Sequence, residues 1–337
     1  MRLIKQVRQV VTGEGRARGT VRAARHFLPS RLTGTSRRAT ATRAIRDELT
    51  ERTGSLQALA GMTETQQVDA ARKMNGAAAV LAMAVLGDSG LEHYRGAFSN
   101  RLMFLPLVSS TLAIWASGHG MRDREPEPHR GRDAIYTLGA LTGLIGTGMH
   151  FYNIGKREGG YSWNNFFYGA PIGAPMALLL SGVFGMAAER VRDRGRGREP
   201  ILFGMPGGQV VGAMTAAGLL GTLGEVSLLH FRGAFHDPAM FIPIAAPPVA
   251  AALIANAALE PSPARRRIAQ IWLRLTTAIG VLGVGFHIFG VHRNMGGWKN
   301  WKQNIQSGPP LPAPPSFTGL GVAGLAALEL MALRKRR

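Results

Sequence analysis

One block of this sequence occurs twice, so any fold the chain adopts has to be built from two similar units. His93-Tyr94-Arg95-Gly96-Ala97-Phe98 is answered by His230-Phe231-Arg232-Gly233-Ala234-Phe235, an offset of 137 residues (230 − 93). At the same offset Met103, Phe104 and Pro106 fall on Met240, Phe241 and Pro243, and Gly87-Asp88 falls on Gly224-Glu225. A second stretch, Gly143-x-x-Gly146-x-Gly148-x-His150, recurs as Gly280-x-x-Gly283-x-Gly285-x-His287. Each copy therefore carries two histidines 57 residues apart (150 − 93 and 287 − 230). His26, His119, His129, His236 and His292 meet no histidine at the matching position.

The repeat is laid over a segregated composition. The chain is 46% hydrophobic yet has a formal charge of +20, and beyond residue 75 charge and apolar residues hardly mix. Eight apolar stretches follow, near 76–92, 102–118, 134–152, 167–188, 207–230, 239–259, 271–290 and 316–333. Several reach the ~20 residues that cross a bilayer core, and the shorter ones cross with small flanking adjustments. They are rich in Gly and Ala, as closely packed membrane helices are. A soluble α/β fold would need turn signals inside these runs, and they have none. The expected fold is an all-α integral membrane protein with eight transmembrane helices, arranged as two tandem parallel-repeat four-helix bundles.

The domain reading follows from that. Residues 1–75 form a basic N-terminal arm, 76–189 the first four-helix membrane repeat, 190–206 a basic linker, 207–333 the second repeat and 334–337 a basic tail. With an even number of spans both termini share a side. That side, with loops 119–133, 189–206 and 260–270, holds 31 of the 40 Lys+Arg; the opposite loops hold 8, and Arg274 is the remaining one. Without residues 1–75 the comparison is 16 against 8, so both termini are expected in the cytoplasm. A bacterial inner membrane is the expected location, with a mitochondrial inner membrane as the alternative.

The arm lacks the apolar core of a signal peptide. Leu3, Ile4, Val7, Val10 and Val11 line one face of a helix whose other face carries Arg2, Lys5 and Arg8, the pattern of an interfacial amphipathic helix. A mitochondrial transit peptide is the rival reading, since residues 1–45 are rich in Arg and Ser/Thr and contain Glu14 as their one acid. Nucleic-acid binding is not expected, because no aromatic stacking platform accompanies the charge.

The chain has no cysteine, which excludes disulfides, thiolate metal sites and haem attached through Cys-x-x-Cys-His. Phosphate-binding loops, zinc-protease helices and nucleophile elbows are also missing. What remains is polar chemistry inside apolar surroundings, where a functional role is the default. His93 and His230 end the first helix of each repeat and His150 and His287 the third, so all four are expected near the exoplasmic face. Paired imidazoles, close glycines and a nearby arginine are the parts of a bis-histidine b-type haem site. His93/His150 and His230/His287 would be the axial pairs of two haems. Gly146, Gly148, Gly283 and Gly285 would admit the macrocycle, and Arg95 and Arg232 would pair with propionates. Asp88 and Glu225, five residues before the first histidine, would serve as supporting acceptors or a proton path.

The matching function is a membrane electron-transfer subunit between an exoplasmic or membrane dehydrogenase and the quinone pool. A transition-metal ion held by the same histidines is the alternative, with transport of such an ion or a small solute by two parallel repeats. Pro171, Pro175, Pro243, Pro247 and Pro248 would then break helices. A third reading is a non-catalytic membrane anchor, with Tyr161, Trp163, Phe166, Phe167, Trp298 and Trp301 docking a partner or forming an interfacial aromatic belt. Simpler roles also fit single motifs. His-x-Arg-Gly is a helix ending, and the paired glycines are contacts between helices.

Overall fold

The computed structural model describes residues 35–192 and 200–334, with side chains almost entirely from residue 64 onward. The amphipathic helix expected over 2–11, residues 193–199 of the basic linker and residues 335–337 of the basic tail lie outside the described residues. The chain divides into two compact units between Leu59 and Ala60, and the helix bundle belongs to the second, Ala60–Arg337.

Ten helices of this protein are described: α1 (Thr35–Arg95), α2 (Leu105–Arg122), α3 (Arg130–Gly155), the short α4 (Trp163–Phe167), α5 (Gly173–Arg192), α6 (Gly207–Arg232), α7 (Ile242–Leu259), α8 (Pro263–Arg293), the short α9 (Trp301–Ser307) and α10 (Pro315–Arg334). A hairpin, β1 (Ile201–Leu202) with β2 (Met205–Pro206), precedes α6. It turns through Phe203 and Gly204, both at positive φ, as a two-residue hairpin requires.

Among the described residues seven helices are long and apolar enough to cross a membrane: those within Glu64–Arg95, Arg101–Arg122, Gly173–Arg192, Gly207–Arg232, Pro238–Leu259, Pro263–Arg293 and Pro315–Leu333. The protein is thus an all-α, multi-pass chain suited to a lipid bilayer. The eighth apolar stretch, 134–152, forms α3 but falls short of that measure. Tyr136, Thr137, Thr142, Thr147, His150 and four glycines dilute its hydropathy, although its 26 residues are sufficient in length.

Two differences from the sequence reading concern boundaries and breaks. The first span is already packed before residue 76: Val68, Ala70, Ala71 and Met74 are buried in the core. The prolines do not interrupt the long helices. Pro243 sits in the first turn of α7, where its missing N–H costs nothing, and Pro247 and Pro248 lie inside a continuous α7.

Matched sequence makes matched local structure. Asn100 and Asp237 each accept a hydrogen bond from a backbone N–H two residues on, at 2.9 Å in both, and start the 3-10 turns Arg101–Phe104 and Pro238–Phe241 that lead into α2 and α7. α3 lies on α5 through Gly143, where an added Cβ would come 2.3 Å from the Leu179 nitrogen and 2.6 Å from the Pro175 carbonyl. α8 lies on α10 through Gly280, which meets Thr318 and the Pro314 carbonyl in the same way. In α5 and α10 the offset is 139 rather than 137 (314 − 175), because two residues are added before α10. Glycine lets the backbones meet at this distance, and any larger residue would push the helices apart.

Candidate functional site

The loops after α1 and α3 and after α6 and α8 gather at one end of the bundle, the histidine end. Each first histidine is held by the turn that follows it. Gly96 closes α1, Ala97 and Phe98 take left-handed backbone conformations (φ 52° and 46°), and Phe98 N–H bonds back to the His93 carbonyl. Ala234 and Phe235 repeat this (φ 56° and 46°), with Phe235 N–H on the His230 carbonyl. Left-handed backbone costs a non-glycine residue about 1–2 kcal/mol. Packing offsets it: Phe98 stacks on Phe104 at 4.4 Å and Phe235 on Phe241 at 4.7 Å, and each meets its histidine ring in a T-shaped contact.

The reward of this geometry is a defined imidazole. His93 Nδ1 lies 2.7 Å from the Met103 carbonyl and His230 Nδ1 2.7 Å from the Met240 carbonyl. His150 Nδ1 meets the Pro171 carbonyl, and His287 Nδ1 the Pro310 carbonyl at 2.7 Å. A carbonyl oxygen only accepts, so each Nδ1 must donate, and each neutral ring keeps its lone pair on Nε2. Within each half the two histidines are electrostatic neighbours: His93 acts on His150, and His230 on His287.

The other residues of the site divide. Gly146 and Gly283 share a helix face with their histidines, and that face is filled. An added Cβ would come 3.2 Å from Pro175 Cβ at Gly146 and 2.8 Å from Pro314 Cβ at Gly283. Their contacts are those of helix packing rather than of an open slot. Gly148 and Gly285 have free space, but two residues of helix turn them about 200° from His150 and His287, onto the outer face. A shallow apolar depression lined by Leu282, Gly285, Phe286 and Phe289 lies there and contains no histidine.

Arg95 pairs with Glu92 and donates to the Gln306 carbonyl, while Arg232 lies over the rings of Phe167 and Tyr168, at 5.7 and 5.9 Å. Asp88 has Glu92, Glu225 and Arg95 as charged neighbours. Glu225 accepts from Gly173 N–H at 3.2 Å and so caps α5. Among the described residues no three His, Asp or Glu side chains gather at metal-binding spacing.

A second polar centre, at the opposite end of the first half, was not foreseen from the sequence. Arg132 and Glu189 are buried and form a two-pronged pair, Nε to Oε1 at 2.9 Å and Nη2 to Oε2 at 2.8 Å. Arg132 Nη1 also reaches Asp123 at 2.7 Å and His119 Nδ1 at 2.9 Å. Arg192, equally buried, donates to the carbonyls of Gly120, Asp123 and Glu125. One turn further in, Tyr136 donates to Asn75 and lies 3.2 Å from Ser117. Partial burial pushes the Asp123 carboxyl upward, but the Glu125 N–H and the Arg132 and Arg192 guanidinium groups outweigh it and hold it below the usual carboxylate range. Arg132 and Glu189 flank the apolar runs 134–152 and 167–188, so composition alone assigns them to loops. Their 57-residue separation carries no motif.

Comparisons with protein-family models, with curated proteins and with solved structures found no match.

Proposed function

We propose that the chain crosses the membrane eight times as two parallel four-helix repeats with both termini cytoplasmic. Its histidine end then lies on the exoplasmic side and binds two b-type haems, one per repeat, in a subunit that passes electrons between a partner dehydrogenase and the quinone pool. What carries the reading is the donor set. Each half offers two imidazoles with Nε2 free to ligate, and no carboxylate joins them. Two axial nitrogens suffice for an iron whose remaining ligands come from a macrocycle. A bare divalent ion takes three or four protein ligands, so the metal-ion reading has less support. The carbonyl tethers would fix each ring plane and raise the basicity of Nε2. A bound haem would supply one-electron transfer.

The second reading is that the tethers are the whole role of the histidines. Each one ties a helix end to the segment that follows, and the chain would then be a membrane anchor.

The absorption spectrum of the purified protein separates the two. A Soret band with a reduced α-band is expected, together with two haems per chain on extraction. His150→Ala is expected to remove about half of the haem and His287→Ala the other half. A chain expressed with ample haem that shows neither band would overturn the haem reading. Loss of all haem from either substitution would replace two sites by one shared site.

A further inference from the structure

The two halves meet at two crossings: α5 of the first half on α6 of the second, and α10 of the second on α1 of the first. They occupy equivalent positions, since Leu180 matches Gly319 (offset 139) and Leu81 matches Gly218 (offset 137). Their shapes are opposite. At the first crossing Leu180 shares the notch at Gly218 with Leu320 of α10: an added Cβ would come 2.6 Å from Leu320 Cδ2 and 3.0 Å from Leu180 Cδ1. At the second, Leu81 enters the notch at Gly319, where an added Cβ would come 2.9 Å from Leu81 Cγ. The knob is on the α5-type helix in one case and on the α1-type helix in the other.

Polar contacts differ in the same sense. Glu225 accepts the N–H of Gly173. The residue matching Gly173 is Pro312, which has no N–H to give and instead packs on Gly87, with its Cγ 2.7 Å from an added Cβ there. Gly224, which matches Gly87, has open space.

We propose that these crossings are keyed: the first half fits the second, and neither half fits a copy of itself. Pairing two first halves would set Leu81 against Leu180, two knobs in a space built for one. Pairing two second halves would set Gly218, with Leu320 already beside it, against Gly319 and leave the space of the missing leucine empty, with Glu225 facing a proline that cannot donate. Overpacking and cavities are both destabilising, so each wrong pairing carries its own penalty. The partner that fits the face of α5 and α1 covered at these crossings is therefore the other half of the chain, not a second copy of the same half. The proposal rests on the two-repeat arrangement and does not depend on haem.

The full-length chain tests it, and its lack of cysteine makes cross-linking unambiguous. Gly319→Leu is expected to lower the folded, monodisperse fraction about tenfold or more, as overpacking a close crossing does. Adding Leu81→Ala in the same chain should restore most of it, although Leu81→Ala alone is itself destabilising. No restoration would overturn the key at that crossing. Oxidation supplies the second measurement with gentler changes: Leu180→Cys with Gly218→Cys should close a disulfide within one chain, leaving it monomeric. Disulfide-linked dimers from Leu180→Cys alone would show like halves meeting and overturn the proposal. Restoration in a chain without a Soret band keeps the keyed pairing and removes only the haem reading.

Discussion

The two halves agree in how their four histidines are held and disagree at the opposite end of the bundle. Where the first half buries Arg132, Glu189, Arg192, Tyr136, Asn75 and Ser117, the second has Ala269, Leu328, Met331, Leu273, Gly212 and Ile254 at the matching positions, most of them equally buried. One backbone arrangement thus admits two interiors. In the first, two guanidinium groups balance two carboxylates and a phenol-amide-hydroxyl chain continues inward. In the second, the Met331 methyl fills the space beside Gly212, 2.8 Å from an added Cβ. The fold does not require the network, since the second half does without it. Removing a whole buried ion pair for well-packed apolar groups is often neutral, whereas removing one partner strands the other.

The largest effect should come from stranding. Arg132→Ala leaves Glu189 buried without its counter-charge and is expected to cost about 3–5 kcal/mol, read as loss of folded protein in size exclusion. Converting the first half to the pattern of the second, with Arg132→Ala and Glu189→Leu together, should recover much of that loss. If the double change is as damaging as the single one, the network does more than balance charge in this half.

A smaller effect concerns shape. Asn75 packs on Gly120, where an added Cβ would come 2.6 Å from the amide. The matching pair in the second half is Gly212 and Ala257, with the large and small members exchanged. Gly120→Ala is expected to cost about 1–3 kcal/mol by overpacking, measured as thermal stability in detergent. Asn75→Gly in the same chain should relieve the clash and copy the second half. Absence of relief would mean that Asn75 matters for its bond to Tyr136 rather than for its size.

Smaller again is the response to acid. The folded Asp123 carboxyl is held below its ordinary value, which is about 3.9 in an unfolded chain. The folded state therefore binds this proton less readily than the unfolded one. The stabilisation is complete above about pH 4 and is lost as the pH falls through the lower, folded value. Asp123→Asn should flatten that part of a thermal-stability profile taken from pH 6 downward. An unchanged acid limb would show that other carboxyls govern it.

What was legible in the sequence was what repeats or what is periodic. The apolar runs gave the helices, and the 137-residue offset located His93, His150, His230 and His287, whose carbonyl tethers prove to be matched. The turns at Ala97-Phe98 and Ala234-Phe235 were not legible, because neither residue type announces a left-handed backbone. The division of the glycines was half legible. Helix geometry alone turns Gly148 away from His150, but that Gly146 lies under Pro175 depends on where α5 packs. The Arg132–Glu189 pair left no trace, since a buried ion pair between helix ends has the same composition as a solvated loop.

The smallest effect is the most direct test of the agreement between the halves. His93 and His230 each contribute one ring hydrogen bond to a carbonyl at 2.7 Å and one edge contact to a phenylalanine. Replacing either by Phe keeps the ring and removes the donor, leaving the Met103 or Met240 carbonyl without that partner. A neutral hydrogen bond is worth about 0.5–1.5 kcal/mol net, so each substitution should lower thermal stability modestly and, above all, by the same amount. Equal shifts would mean that the tether does the same work in both halves, even though their far ends differ. An appreciably larger shift for His93→Phe would mean that the polar interior of the first half reaches the histidine end. The likeness of the two sites would then be one of geometry and not of energy.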